Sequence, residues 1–123
     1  MIKILSHRGY WKKVEEKNTI QAFENSFSHG FGLETDIRDL NGKLVVSHDI
    51  PIEFALSVDE LFTLYKKYGS NFCLAINIKS DGLHELLIKL LDEYDIKNYF
   101  LFDMSVPDAV IAKMKGLNIF TRQ

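Results

Sequence analysis

Short apolar runs alternate along this chain with stretches whose apolar residues recur at helical spacing. KILS (3–6) reads as a first strand. Asn18, with Gln21 three residues on, predicts a cap for the helix TIQAFENSFSHG, whose Ile20, Phe23 and Phe27 share a face and which Gly30 stops. LETDI reads as the second strand, Asn41-Gly42 as a two-residue hairpin turn and KLVVS as the returning strand. Ser57 and Glu60 frame a capping box before the helix VDELFTLYKKYG. NFCLAINIK then reads as a third strand, GLHELLIKLLDEY as a third helix and NYFLF as a fourth strand. SVPDAVIAKMKG is a helix with an early proline, and LNIFT a fifth strand. Alternation at about 25 to 30 residues per unit predicts βαβ crossovers, a parallel sheet and an α/β fold. The pattern runs as one domain over 1–123.

The polar residues that break this pattern fall at one end of it. His7 and Arg8 follow the first strand, and Glu34 and Asp36 lie on the second. Asn77 and Lys79 close the third, and Asp103 closes the fourth. These positions are the carboxyl ends of the strands, where α/β folds build their sites.

Composition narrows the function. Of 123 residues, 46% are hydrophobic and 26% charged, with a net charge of −2, which suits one globular domain. That balance argues against nucleic acid as a partner. The single cysteine, Cys73, allows no disulfide within the chain and suits a reducing, cytoplasmic setting. Charges interrupt the N-terminal apolar run at once, so it does not read as a signal peptide. No run reaches the roughly 20 apolar residues of a membrane span.

Glu34 and Asp36 are two apart on a strand and so project to the same face. Buried together they would repel unless a cation joined them; on a raised hairpin they would simply be wet. The nearby His7, Arg8, His48 and Lys79 tilt the reading towards a site. Paired oxygen donors suit a hard divalent cation such as Mg²⁺ or Ca²⁺. Two histidines can serve as acid and base, and Arg8 and Lys79 suit a phosphate, so the set describes phosphoryl transfer. Other residues read more plainly. His29 sits at a helix end, His84 reads as solvated, Cys73 as a small core residue, and Trp11 as either a substrate mouth or a covered loop aromatic.

His48 poses a register problem. A two-residue turn pairs 40 with 43, which sets His48 opposite Thr35 and turns it away from the carboxylates. A bulge, or an end to regular pairing before Ser47, is therefore expected.

HRG at 7–9, NTIQAF at 18–23, GLETDIR at 32–38, NGKLVVSHD at 41–49 and the Ile-Lys of AINIK resemble, in order, the glycerophosphodiester phosphodiesterases. The resemblance implies a parallel (β/α) barrel of TIM type with a hairpin after its second strand. It also implies metal-dependent hydrolysis of a small-molecule glycerophosphodiester to glycerol 3-phosphate and an alcohol. By position, His7 and His48 match the acid–base pair, Arg8 and Lys79 the phosphate contacts, and Glu34, Asp36 and Asn77 the metal ligands.

The chain departs from that pattern at three points. Lys17 stands where the family has a glutamate before Asn-Thr, and Asn77 replaces the third glutamate ligand. An amide oxygen can hold a hard cation, but without charge. The length matches about half a barrel, which suggests either a truncated domain or self-association through open sheet edges. An alternative to the enzyme is therefore a non-catalytic, phosphate-binding descendant of the same family.

Overall fold

The computed structural model describes residues 4–50, 55–69 and 71–120. In chain order the elements are β1 (Leu5–His7), α1 (Ile20–Ser28), β2 (Gly32–Leu40), β3 (Lys43–Val46), β4 (Leu56–Ser57), α2 (Val58–Lys67), β5 (Leu74–Ile78), α3 (His84–Glu93), β6 (Tyr99–Phe102) and α4 (Val106–Met114). They form a mixed α/β fold in which one sheet runs β4-β3-β2-β5-β6, with β1 also paired to β2. The β1–β2, β2–β5 and β5–β6 pairs are parallel, as the strand–helix alternation predicts, and the β2–β3 hairpin is antiparallel.

β2 organises the sheet because its two edges are used differently. β5 covers one edge over residues 33–37. The other edge is shared, with β1 beside 32–34 and β3 beside 37–40. Thr35 and Asp36 therefore face a gap between two partners, and that gap positions the site.

Period-two alternation separates the faces of the sheet. Leu33, Ile37, Leu74, Ile76, Ile78 and Leu101 belong to the main core with Phe23 and Phe27 of α1, Leu61, Phe62 and Tyr65 of α2, and Leu87 and Leu91 of α3. Each fully buried large apolar side chain contributes roughly 1.5–3 kcal/mol. The opposite face carries His7, Glu34, Asp36 and Asn77 beside Ala75, Phe100 and Phe102, aligned by the parallel register. Helices thus cover one face, and the polar residues gather on the other.

Local signals account for most element ends. Ser57 and Glu60 form the reciprocal capping box of α2. Ser105 caps α4, whose proline lies in the first turn. Several details differ from expectation. Thr19, not Asn18, caps α1, accepting from the Ala22 amide, because Asn18 takes a left-handed φ of 58° and turns its side chain elsewhere. The first strand begins at Leu5, with Lys3 outside the described residues. β4 is an unforeseen strand, and its Ser57 doubles as the α2 cap. LNIFT yields only a single bridge, Leu101 to Ile119, among the described residues, and Thr121 lies outside them. Cys73 is half-buried rather than enclosed. No described helix is long and apolar enough to cross a membrane.

Gly9 shows why the loop after β1 admits no side chain. Its φ is +92°, and an added Cβ would meet Ala22 Cβ at 2.6 Å. The close approach is held by the Tyr10 amide donating to the Ala22 carbonyl at 2.9 Å. Gly9→Ala is expected to cost about 2 kcal/mol through backbone strain and overpacking, read as a lowered urea midpoint at unchanged slope.

Candidate active site

The site is built around Asp36, whose side chain is fully buried. Arg8 Nε lies 2.9 Å from one carboxylate oxygen and Lys79 Nζ 3.8 Å from the other. Asn18 Nδ2 donates to the first oxygen at 3.0 Å. A lone buried carboxylate would be costly, and these cations with the amide compensate it. The backbone aims them. The Arg8 amide donates to the Glu34 carbonyl at 2.7 Å, and the Lys79 amide to that of Ile37 at 3.1 Å. Both residues therefore leave their strands beside β2.

Asn18 fills the gap on the β2 edge. Its Oδ1 accepts from Thr35 Oγ1 at 2.9 Å while Nδ2 donates to Asp36, so one amide satisfies two buried groups. Sequence reasoning assigned Asn18 to the helix cap and missed this role. The available signal was redundancy: Asn18 and Thr19 can both cap, only one can, and the other is free for a different partner.

Glu34 projects from the same face. His7 Nε2 stands 3.4 Å from its Oε2. Burial, and then the neighbouring Asp36 charge, push the Glu34 carboxyl above its ordinary value, with Arg8 and Lys79 opposing. Burial, and then Arg8, push the His7 imidazole below its ordinary value, so the ring favours the neutral form.

β3 ends at Val46, so regular pairing stops before Ser47, although the Ser47 amide still reaches the Asp36 carbonyl at 3.0 Å. His48 then leaves the ladder and lines an open cleft of about 680 Å³ with Arg8, Lys17 and Asn18. Its Nδ1 lies 3.0 Å from Asp49 Oδ1. A carboxylate only accepts, so Nδ1 is the donor in this contact. Arg38, also missed from the sequence, donates to the His48 carbonyl from Nε and Nη2 at 3.0 and 2.9 Å, which anchors the turn. Among the described residues His48 pairs with neither Glu34 nor Asp36, and the two sets meet through Arg8 and Asn18.

Three oxygens bear on whether the face suits the divalent cation expected from the sequence. Glu34 Oε2, Asp36 Oδ1 and Asn77 Oδ1 are all buried without a hydrogen-bond donor. Asp36 and Asn77 are register partners on the face that also carries Glu34. Unsatisfied oxygens on one face fit a hard cation, which takes oxygen ligands. Among the described residues no group of three His, Cys, Asp or Glu side chains that could hold a metal is found, and the third oxygen on this face belongs to the Asn77 amide.

Of the remaining candidates Lys17 stays beside the site, and two histidines fall elsewhere. Lys17 Nζ packs 4.5 Å above the Trp11 ring, whose Nε1 donates to the His7 carbonyl at 2.9 Å. Lys17 thus places its positive charge beside the site, in the cleft it lines with Arg8 and His48, where it also helps lower the His7 pKa. His29 stays at the end of α1, stacked 4.8 Å from Tyr10. His84 is buried rather than solvated: its Nε2 lies 3.0 Å from Asp108 Oδ1, because the first turns of α3 and α4 pack together.

No protein-family model matches this chain, and no curated protein matches its sequence. Its fold is found in solved structures. One is a protein provisionally assigned as a glycerophosphodiester phosphodiesterase from Galdieria sulphuraria, at 18% identity and a TM-score of 0.85 over 98% of this chain. Another is the glycerophosphodiester phosphodiesterase from Agrobacterium tumefaciens, at 17% identity and a TM-score of 0.79 over 97% of this chain. The match covers 64% and 66% of those two chains, just under two-thirds of each. At such identities the likeness establishes the fold, and it falls on proteins of the kind that the sequence motifs resemble.

Proposed function

We propose that this chain carries about half of a (β/α) barrel of the TIM type and the main residues of a metal-dependent phosphodiesterase. Its substrates would be glycerophosphodiesters and its products glycerol 3-phosphate and an alcohol. One observation carries the reading: His7, Glu34, Asp36 and Asn77 share one sheet face, and three of their oxygens are buried without donors. Glu34, Asp36 and Asn77 would hold Mg²⁺ or Ca²⁺, which when bound neutralises charge on the phosphoryl oxygens. Arg8 and Lys79 meet the phosphate as cations. In hydrolysis an oxygen–phosphorus bond forms from water and the bond to the alcohol breaks. One histidine takes the water proton and the other protonates the departing alkoxide. His7, biased to the neutral form, suits the base that takes the water proton, which leaves His48 as the acid that protonates the departing alkoxide. The single cysteine suits a cytoplasmic setting for it.

The test is release of glycerol 3-phosphate from glycerophosphocholine, supported by Mg²⁺ or Ca²⁺ and stopped by EDTA. No release with any divalent metal, from protein shown to be folded, would overturn the enzyme reading. A second reading, a phosphate-binding descendant without turnover, is motivated by Asn77 in place of a charged ligand. It predicts binding of glycerol 3-phosphate by the unaltered protein and a gain of metal affinity in Asn77→Glu.

A further inference from the structure

Asn77 can present either end of its amide to the metal position, and only one end helps. Its Nδ2 donates to Asp103 Oδ2 at 3.1 Å, just past the end of β6. An ionised carboxylate has no donor, so the amide nitrogen must be the atom that faces it. Oδ1, on the other branch of the same planar group, is thereby turned away from Asp103. That oxygen is buried without a partner, on a residue only 7% exposed, and on the face shared with Asp36. Asp103 and Glu34 line one depression of about 310 Å³ together with Phe100 and Phe102.

We propose that Asp103 is a positioning residue. It locks the Asn77 amide so that Oδ1, and not Nδ2, is the group offered beside Glu34 and Asp36 to a divalent cation. The inference rests on the metal reading above and deepens it. Asn77 lacks the charge of a carboxylate ligand, and the terminal torsion of an amide is broad and two-fold. A cation meeting Nδ2 would meet a donor and be repelled. Asp103 removes that orientation, because reversing the amide would set Oδ1 against the carboxylate. The left-handed φ of 64° at Asp103 suits aspartate and asparagine alike. Asp103→Asn therefore tests the hydrogen bond and leaves the turn intact.

Isothermal titration of Mg²⁺ and of Ca²⁺ into the unaltered protein, Asp103→Asn, Asn77→Asp and the double variant separates the possibilities. Asp103→Asn alone is expected to weaken cation binding about tenfold. That is the low end for a lost outer partner, since the new amide still accepts in one of its two orientations. In the Asn77→Asp background the same change is expected to leave affinity within about twofold, because a carboxylate at 77 offers oxygen either way. Equal weakening in both backgrounds would mean that Asp103 acts by charge alone, and would overturn the proposal. The Asn77 side-chain amide resonances give a second readout without metal. Protection from exchange in the unaltered protein should fall in Asp103→Asn, and unchanged resonances would also overturn it. If no variant binds a cation, the metal reading falls and the cation part of this proposal falls with it. Intact binding with equal losses removes the role of Asp103 alone.

Discussion

Asp36→Ala is expected to lose about 3 kcal/mol of folding stability, together with measurable hydrolysis. The carboxylate is fully buried, and its removal strands Arg8, 2.9 Å away, and Lys79, 3.8 Å away, beside an apolar cavity. Removing one partner of a buried pair leaves an uncompensated charge, which typically costs about 3–5 kcal/mol. The low end applies because the Arg8 and Lys79 side chains keep 20% and 21% of their surface exposed and can be partly solvated. The loss also frees Asn18, whose amide bridges Asp36 and Thr35. Urea unfolding reads the stability term. A variant as stable as the unaltered protein would show that the three donors find other partners, and would remove Asp36 as the organiser of the site.

His7→Ala is expected to lower kcat for glycerophosphodiester hydrolysis by about 10²–10⁴, the range of a lost acid–base group. Stability should hardly change. The ring is 61% exposed, and its nearest charged neighbour is Glu34 at 3.4 Å, without an aligned hydrogen bond. That separation of effects is what makes the variant informative. A folded His7→Ala protein with undiminished turnover would place the proton transfers on other groups. A rise in KM alone, with kcat intact, would recast His7 as a substrate contact.

Much of the fold was legible in the sequence because its determinants are local. Asn41-Gly42 produced the expected hairpin and the 40-to-43 pairing, since a two-residue turn leaves only one register. Ser57 and Glu60 cap α2 because both partners lie within one turn of helix. The same register arithmetic required His48 to leave the ladder, and β3 does end at Val46. Where two residues compete for one local task, reading by position failed. Asn18 and Thr19 both suit a cap, and the choice fell to Thr19 because Thr35 and Asp36 claim the Asn18 side chain.

The sequence by itself determined the strand–helix alternation, the hairpin and the grouping of His7, Arg8, Glu34, Asp36, Asn77 and Lys79 towards one end of the parallel strands. Side-chain alternation and strand length settle those without reference to any distant residue. Only the tertiary structure decided how the groups are used. It set Asn18 into the gap that β1 and β3 leave on β2, buried His84 against Asp108, and turned the Asn77 amide by means of Asp103. These pairings join residues 17 to 26 positions apart. A buried donor or acceptor takes whichever partner the packing of whole elements brings within reach, and that choice leaves no periodic trace along the chain.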